Sequence, residues 1–487
     1  MNRVNPLPCL VAVILLGTTG CMQGAEYARP TIEAPPVWDA MMAGEANTEV
    51  RLETGKRPGA GWWREFRNEE LDRLIAQALD RNHDVRRVAL RVMEGRAVAV
   101  AAGAGLYPQV NLDGSYSHIR RSENILVAPT GGAPQGFAAP GSNFEIWSGA
   151  LDLRWELDLW GRIRRGQEAA MADADALEQD RRAVTLALVG DLGQAYFRLR
   201  EHDEQIRIAE ANLASRTDSL ELIRSRAAAG LASDLDVRRA EVQVATGAAQ
   251  IPELRRLRAA ALHQIEVLAG SNPGTLDLAP KPLRSVVAQP EIPVGLPAQL
   301  LERRPDILHA ERALVAANAR IGEARAYFFP AVAITGQGGI QSSEFTNWFQ
   351  SGSHATTIGP SVTLPIFLGG ANVARLQVAE ARYEQMLEGY RQTILNAFRE
   401  VADLLVSIRA RTDQRDRQRE QAKASQSALD LVQIRYREGL VTYLDVLDAQ
   451  RTVLEAELAL VQTERARLTD MVGLFKALGG GWDDERI

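Results

Sequence analysis

The chain repeats itself once, and the repeat constrains the fold more than any single motif does. Leu74-Ile75-Ala76-Gln77-Ala78-Leu79-Asp80-Arg81-Asn82-His83-Asp84 returns as Leu296-Pro297-Ala298-Gln299-Leu300-Leu301-Glu302-Arg303-Arg304-Pro305-Asp306, 222 residues later. Leu106-Tyr107-Pro108 meets Phe328-Phe329-Pro330 at the same offset. Gly230-Leu231 with Leu235-Asp236-Val237 recurs as Gly439-Leu440 with Leu444-Asp445-Val446, now 209 residues apart. The 13-residue difference places an insertion in the first copy, and the Pro/Gly-rich segment from Pro129 to Gly141 has the composition of such a loop. A period near 210 residues is too long for a solenoid and predicts a duplicated domain.

Residues 1–20 read as a secretory signal: Arg3, a short apolar run from Leu10 to Leu16, then Thr18-Thr19-Gly20-Cys21. The run is too short to span a bilayer. Cys9 falls inside the signal, so Cys21 is the mature chain's single cysteine and no internal disulfide is expected. A cysteine directly after small residues at the end of a signal is similar to a bacterial lipoprotein site, with Thr18 standing where such sites usually carry Leu. The alternative is ordinary cleavage nearby, leaving an inert thiol. The formal charge is −6, against the basic face a nucleic-acid partner requires. No apolar run of eighteen residues follows the signal, so any membrane crossing must be made by strands.

Two pairs of segments alternate with period two. Val110, Leu112 and Tyr116 interleave with Asn111, Asp113, Ser115 and Ser117. Trp147, Leu151, Leu153, Trp155, Leu157 and Leu159 interleave with Ser148, Asp152, Arg154, Glu156 and Asp158. In the second copy Val332, Ile334 and Ile340 alternate with Thr335 and Gln337, and Ile358, Val362 and Leu364 with Thr357, Ser361 and Thr363. Strands of about ten residues with an aromatic, apolar face fit an outer-membrane-type barrel. A half-buried strand of a soluble sandwich gives the same alternation.

The helices around them are long. Trp160 to about Ala229 and Gly370 to about Glu438 run without proline, on the order of 100 Å each at about 1.5 Å per residue. Tyr383, Leu387, Tyr390, Ile394, Ala397, Val401, Leu404 and Ile408 keep the four-three spacing of a coiled-coil seam. Arg409 to Gln421 interrupts that seam and reads as a solvated stretch. Return helices follow from Ser233 to Leu268, with a bend expected at Pro252, and from Thr442 to Leu478; a further helix is expected from Leu71 to Leu106. The domain reading is residues 1–20 signal, 21–70 extended leader, 71–270 first repeat, 271–295 linker, 296–480 second repeat and 481–487 tail.

Four strands cannot close a barrel, and strand edges inside lipid must be paired. Two chains give eight strands and a filled interior; three give twelve and a lumen, which the polar faces favour. The expected fold class is therefore an α+β membrane protein with internal duplication. Four β-strands per chain contribute to a trimeric 12-stranded outer-membrane barrel, continued by a long α-helical coiled-coil periplasmic tunnel.

Several motifs resemble the TolC-type outer membrane factors, specifically the lipoprotein branch. They are Trp62-Trp63-Arg64-Glu65-Phe66 with Leu71-Asp72-Arg73-Leu74-Ile75, Arg303-Arg304-Pro305-Asp306-Ile307, Ile321-Gly322-Glu323-Ala324-Arg325 and Phe329-Pro330. With them stand Tyr436-Arg437-Glu438-Gly439-Leu440, the run from Tyr443 to Arg451, and Lys476-Ala477-Leu478-Gly479-Gly480-Gly481-Trp482. The resemblance covers essentially the whole mature chain; His83 stands where the family often has Pro. It implies a homotrimeric exit duct of a tripartite efflux system in the bacterial outer membrane, anchored by outer-membrane lipid, without cofactor or enzymatic activity. Its partners would be a periplasmic adaptor (membrane fusion) protein and an inner-membrane transporter, with no nucleic acid.

A duct needs a gate, a docking surface and an anchor. Gly439 permits a helical reversal, and Asp445 and Asp448 stand three apart on one helical face, where a three-fold axis would gather Asp448 into a carboxylate ring. The resemblance places Leu444, Asp445 and Asp448 at the periplasmic constriction, and Tyr436 and Arg437 among the contacts that hold it shut. Thr442 with Asp445, like Ser233 with Asp236, is also a capping-box-like helix start, so capping competes with gating for Asp445. Gly230, Leu231, Ser233, Gly439, Leu440 and Thr442 form two tips for adaptor docking, or merely close two turns. Trp147 and Trp155 fit an aromatic girdle or a buried core, and Cys21 is the anchor. P-loop, His-Glu-x-x-His, Gly-x-Ser-x-Gly and Cys-x-x-Cys motifs are absent, and the six histidines are scattered, so neither catalytic residues nor a metal site is expected. The rival reading is a non-conducting structural lipoprotein, a coiled-coil spacer of the envelope.

Overall fold

The computed structural model describes residues 22–35, 38, 59, 61–120, 122, 124, 143–283 and 297–480. The signal, Cys21, the insertion at 129–141, residues 284–295 of the linker and the tail at 481–487 lie outside them. In chain order the elements are α1 (Glu69–Arg81), α2 (His83–Gly103), β1 (Gln109–Arg120), β2 (Asn143–Leu157), α3 (Arg162–Ala228) and α4 (Asp234–Leu268). The second copy supplies α5 (Pro305–Ala326), β3 (Ala331–Ser342), β4 (His354–Thr363), α6 (Ala371–Arg437) and α7 (Tyr443–Ala477). The long helices α3 and α6 are 67 residues each and both return helices are 35, so these helices match in length between the copies.

Two compact units draw on both copies. The strand unit takes residues 1–29, 93–174 and 312–387; the tip unit takes 30–92, 175–311 and 388–487. In the strand unit the four strands form one antiparallel sheet in the order β1-β2-β3-β4. The register aligns the alternation across all of it. Tyr116 meets Trp147, Leu112 meets Leu151, Val110 meets Leu153, Trp155 meets Ile334, and Val332 meets Val362, all on one face. Asp152 meets Asn111 and Gln337, and Arg154 meets Thr335, on the other. Leu112 and Ile358 are more than three-quarters exposed, so the apolar face is open at these positions among the described residues. No described helix is long and apolar enough to cross a membrane.

In the tip unit the coiled-coil seam is real and longer than its apolar part. Tyr390, Ile394, Ala397, Val401 and Ile408 are buried, as the spacing requires. The stretch from Arg409 to Gln421 is not uniformly solvated as expected: Thr412 and Arg415 are buried, continuing the four-three spacing with polar side chains. Thr412 Oγ1 donates to the Ile408 carbonyl, and Arg415 pairs with Asp416, which lets both enter the seam.

The helix expected from Leu71 to Leu106 is instead two helices and a final 3-10 turn, broken at Asn82. Asn82 is extended, and its Oδ1 accepts from the Asp84 and Val85 amides, starting α2 as an N-cap. Its Nδ2 donates to Leu268 O at the end of α4. In the second copy Arg304 donates to Ala477 O at the end of α7, the same bond made by a different side chain. α4 continues through Pro252 as one helix. The Trp62–Phe66 turn packs here too, with Trp62 stacked on Phe475 and Phe66 against Phe197.

Candidate functional site: the two helical tips

Both long helices end in the same way. Leu231 N–H donates to Arg226 O and Gly230 N–H to Ala227 O; Leu440 N–H donates to Arg435 O and Gly439 N–H to Tyr436 O. These paired bonds are Schellman motifs, and they put Gly230 at φ +71 and Gly439 at φ +76, conformations that an L side chain resists. Each return helix then starts on a hydroxyl residue. Ser233 Oγ accepts from the Asp236 amide and donates to its carboxylate. Asp445 Oδ2 accepts from both the Thr442 amide and the Thr442 hydroxyl, at 2.8 and 2.7 Å, within a capping box. The Thr442 bonds hold the Asp445 carboxyl below its ordinary value.

The tips are joined in one apolar cluster. Leu220, Ile223 and Ala240 of the first copy are buried with Tyr436, Tyr443 and Val446 of the second. Arg226 crosses between them: its Nη1 donates to Tyr436 O and Arg437 O, both at 3.0 Å, and its guanidinium lies 5.2 Å from the Tyr436 ring centre. One side chain thus adds a second donor to the Tyr436 carbonyl, which already accepts from Gly439, reaches the Arg437 carbonyl at the end of α6, and adds a cation–π contact. Tyr443 packs 6.0 Å from Tyr436; burial, with Tyr436 beside it, pushes its phenol up to about 12. Gln450 is buried two turns deeper and donates to Ser215 Oγ and Ser219 Oγ, both at 3.1 Å.

Several candidate residues come together at these tips, with different surroundings. Tyr436 is buried and Arg437 offers its carbonyl to Arg226. Leu444 and Asp448 line an open groove of about 740 Å³ with Ala428 and Val432 of α6. Asp448 Oδ1 accepts from Arg451 Nη2 at 2.8 Å, so within the chain its charge is met by a neighbour rather than left bare. Leu231 and Leu440, the residues after each glycine, are both about two-thirds exposed. Sequence reasoning missed Arg226, Gln450 and Tyr443. Arg226 carried only the signal of a cation in a last helical turn, which ordinarily serves its own helix.

Trp147 and Trp155 lie on the apolar face near opposite ends of β2. Eight residues at about 3.4 Å each separate them by roughly 27 Å. Trp147 packs on Tyr116 and Phe345, and Trp155 Nε1 donates to Leu106 O.

The family described as "Outer membrane efflux protein" matches this chain over residues 74–271 and 296–480. The "Cation efflux system protein CusC" of Escherichia coli is 33% identical over 479 residues, covering 98% of this chain and 100% of that protein. The "Solvent efflux pump outer membrane protein SrpC" of Pseudomonas putida is 35% identical over 480 residues, covering 99% of each. Among solved structures, the outer-membrane channel OprN superposes with a TM-score of 0.85 at 32% identity, over 95% of this chain and 100% of that one. With its sheet, its duplicated helices and its full-length match, the chain belongs to the outer membrane efflux protein family, a family of channel proteins, and its place is the outer membrane.

Proposed function

We propose that three copies of this chain form the exit duct of a tripartite efflux system, receiving cargo through a periplasmic adaptor from an inner-membrane transporter. The observation that carries this reading is the sheet: among the described residues β1 pairs only with β2 and β4 only with β3, so both outer edges are open there. Open edges do not persist in hydrocarbon, and joining them between three chains closes twelve strands with the polar face inward. Trp147 and Trp155 then mark the two interfaces, and Cys21 carries the lipid anchor. The duct performs no bond chemistry. The relatives' names span cation and solvent efflux, which supports leaving the choice of cargo to the pump.

The gate in this reading is the second tip. Tyr436 and Arg437 are its latch, with Arg226 holding their carbonyls; Leu444 and Asp448 narrow the passage, and Asp445 chiefly caps α7. The exposed tip residues Leu231 and Leu440, set by Gly230, Gly439, Ser233 and Thr442, face the adaptor. Conductance in planar bilayers, with oligomeric mass measured in the same detergent, tests the duct. Trimers passing small cation-selective currents support it; a monomer that never conducts overturns it and leaves the structural lipoprotein.

A further inference from the structure

In the strand unit, the residues that follow Cys21 are gripped by their backbone. Arg165, on the first turn of α3, is only 2% exposed, and each of its three guanidinium nitrogens donates a hydrogen bond. Nε donates to Gln23 O at 3.0 Å, Nη2 to Gly24 O at 3.0 Å, and Nη1 to Glu168 Oε2 at 2.7 Å. Gln23 N–H donates to Trp160 O at 3.1 Å, and Asn318 Nδ2 to Ala25 O at 3.0 Å. Three glycines make the fit. Gly24 has φ +91, and a Cβ there would lie 2.6 Å from Gly322 Cα. A Cβ on Gly322 would meet Gln23 O at 2.7 Å, and one on Gly161 would meet Met22 Cγ at 2.5 Å. The corner itself is braced, with Trp160 stacked on Phe329 and donating to Pro330 O.

We propose that Arg165, Gly161 and Gly322 form a docking notch for leader residues 22–25, which fixes the start of the mature chain at the corner between β2 and α3. The occupant is the chain's own leader. The notch reads carbonyls and the absence of side chains rather than a side-chain sequence, and a buried guanidinium needs those carbonyls, because an unpaired buried charge is costly. Residue 21 is one peptide unit, about 3.8 Å between Cα atoms, from Met22. The notch holds the chain at the foot of the sheet from Gln23 onward. This inference is independent of whether the trimer conducts and of whether Cys21 is acylated.

Hydrogen exchange at the Gln23 amide, read by mass spectrometry on the full mature protein, tests the notch. Gln23 is expected to be protected in the wild type, and Arg165→Met to speed its exchange at least about tenfold while amides of α7 keep their rates. Gly24→Val alters only the leader and is expected to give the same loss, which keeps the test decisive should Arg165→Met fail to fold. An unprotected Gln23 in the wild type overturns the proposal. So does wild-type protection of Gln23 in either folded variant.

Discussion

Arg226 and Arg435 hold the same place in the two copies, two residues before the end of equivalent helices, and do different work. Arg226 leaves its own tip and closes the carbonyls of the other, whereas Arg435 stays exposed and acts on Asp445 through its charge. The backbones around them are the same motif, glycine for glycine and hydroxyl cap for hydroxyl cap. What differs is the layer inside the turn. The first tip follows its cap with Asp234, Arg238 and Arg239, a charged and solvated set; the second has Tyr443, Leu447 and Asp448 in those positions, two of them in or against the shared apolar cluster. Backbone fixes the reversal in both, and side chains suit only the second to the latch proposed above.

The sharpest way to break this comparison is Arg226→Ala beside Arg435→Ala. Losing two charge-assisted hydrogen bonds and a cation–π contact is expected to cost the tip about 2 kcal/mol. Single-channel conductance should rise several-fold for Arg226→Ala and little for Arg435→Ala; equal effects would sink the assignment of Arg226 as the crossing residue. Gly439→Ala and Gly230→Ala both force a methyl into left-handed backbone, at about 1 kcal/mol each. The two changes should cost about the same, because the Gly439 Cβ would meet Arg226 Nη2 at an ordinary 3.5 Å and Gly230 faces open space, and thermal unfolding of the two variants checks that the backbone alone sets the cost.

Asp448→Ala, with the Arg451 pairing gone, is expected to raise conductance modestly, and unchanged conductance in an intact trimer would remove Asp448 from the gate. Acid should loosen the second tip through Asp445. Its folded value is depressed, so its contribution is present above about pH 3.8 and is lost as pH falls through the lower folded value; Asp445→Asn should abolish that step in tip hydrogen exchange. Smallest of all is Tyr443→Phe. The hydroxyl is buried without a hydrogen-bond partner among the described residues, so its removal should not destabilise the tip at neutral pH. The raised phenol contributes fully below its ordinary value near 10 and loses that contribution as pH rises toward 12, and the Phe variant should lack this alkaline loss.

Much of this fold is written locally in the sequence. The strands announced themselves because one face meets a different solvent from the other, and the return helices because glycine and a hydroxyl residue must stand at fixed places in a reversal. The break at Asn82 was hidden because the apolar rhythm continues across it, and only the side chain's bonds reveal the cap. The buried run through Thr412 and Arg415 was hidden by residue type, since polarity is a poor guide once a side chain has a partner beside it. Arg226 and the leader notch were illegible for a deeper reason. Both bind main-chain carbonyls, which every residue owns, so no pattern of side chains marks the target.

A last consequence concerns descent. At the end of each return helix a glycine, Gly270 or Gly479, lies so close to the carbonyl of Arg81 or Arg303 that an added methyl would sit within 2.9 Å of the oxygen. The neighbouring bond has meanwhile passed between an amide, Asn82, and a guanidinium, Arg304, which also recruits Asp306 and Glu400. After a gene doubles, such a joint drifts unevenly. Its polar members can be exchanged for others that reach the same oxygen, but the glycine has no substitute among the remaining amino acids, and the two halves of the molecule stay recognisable as copies at the points where nothing can be added.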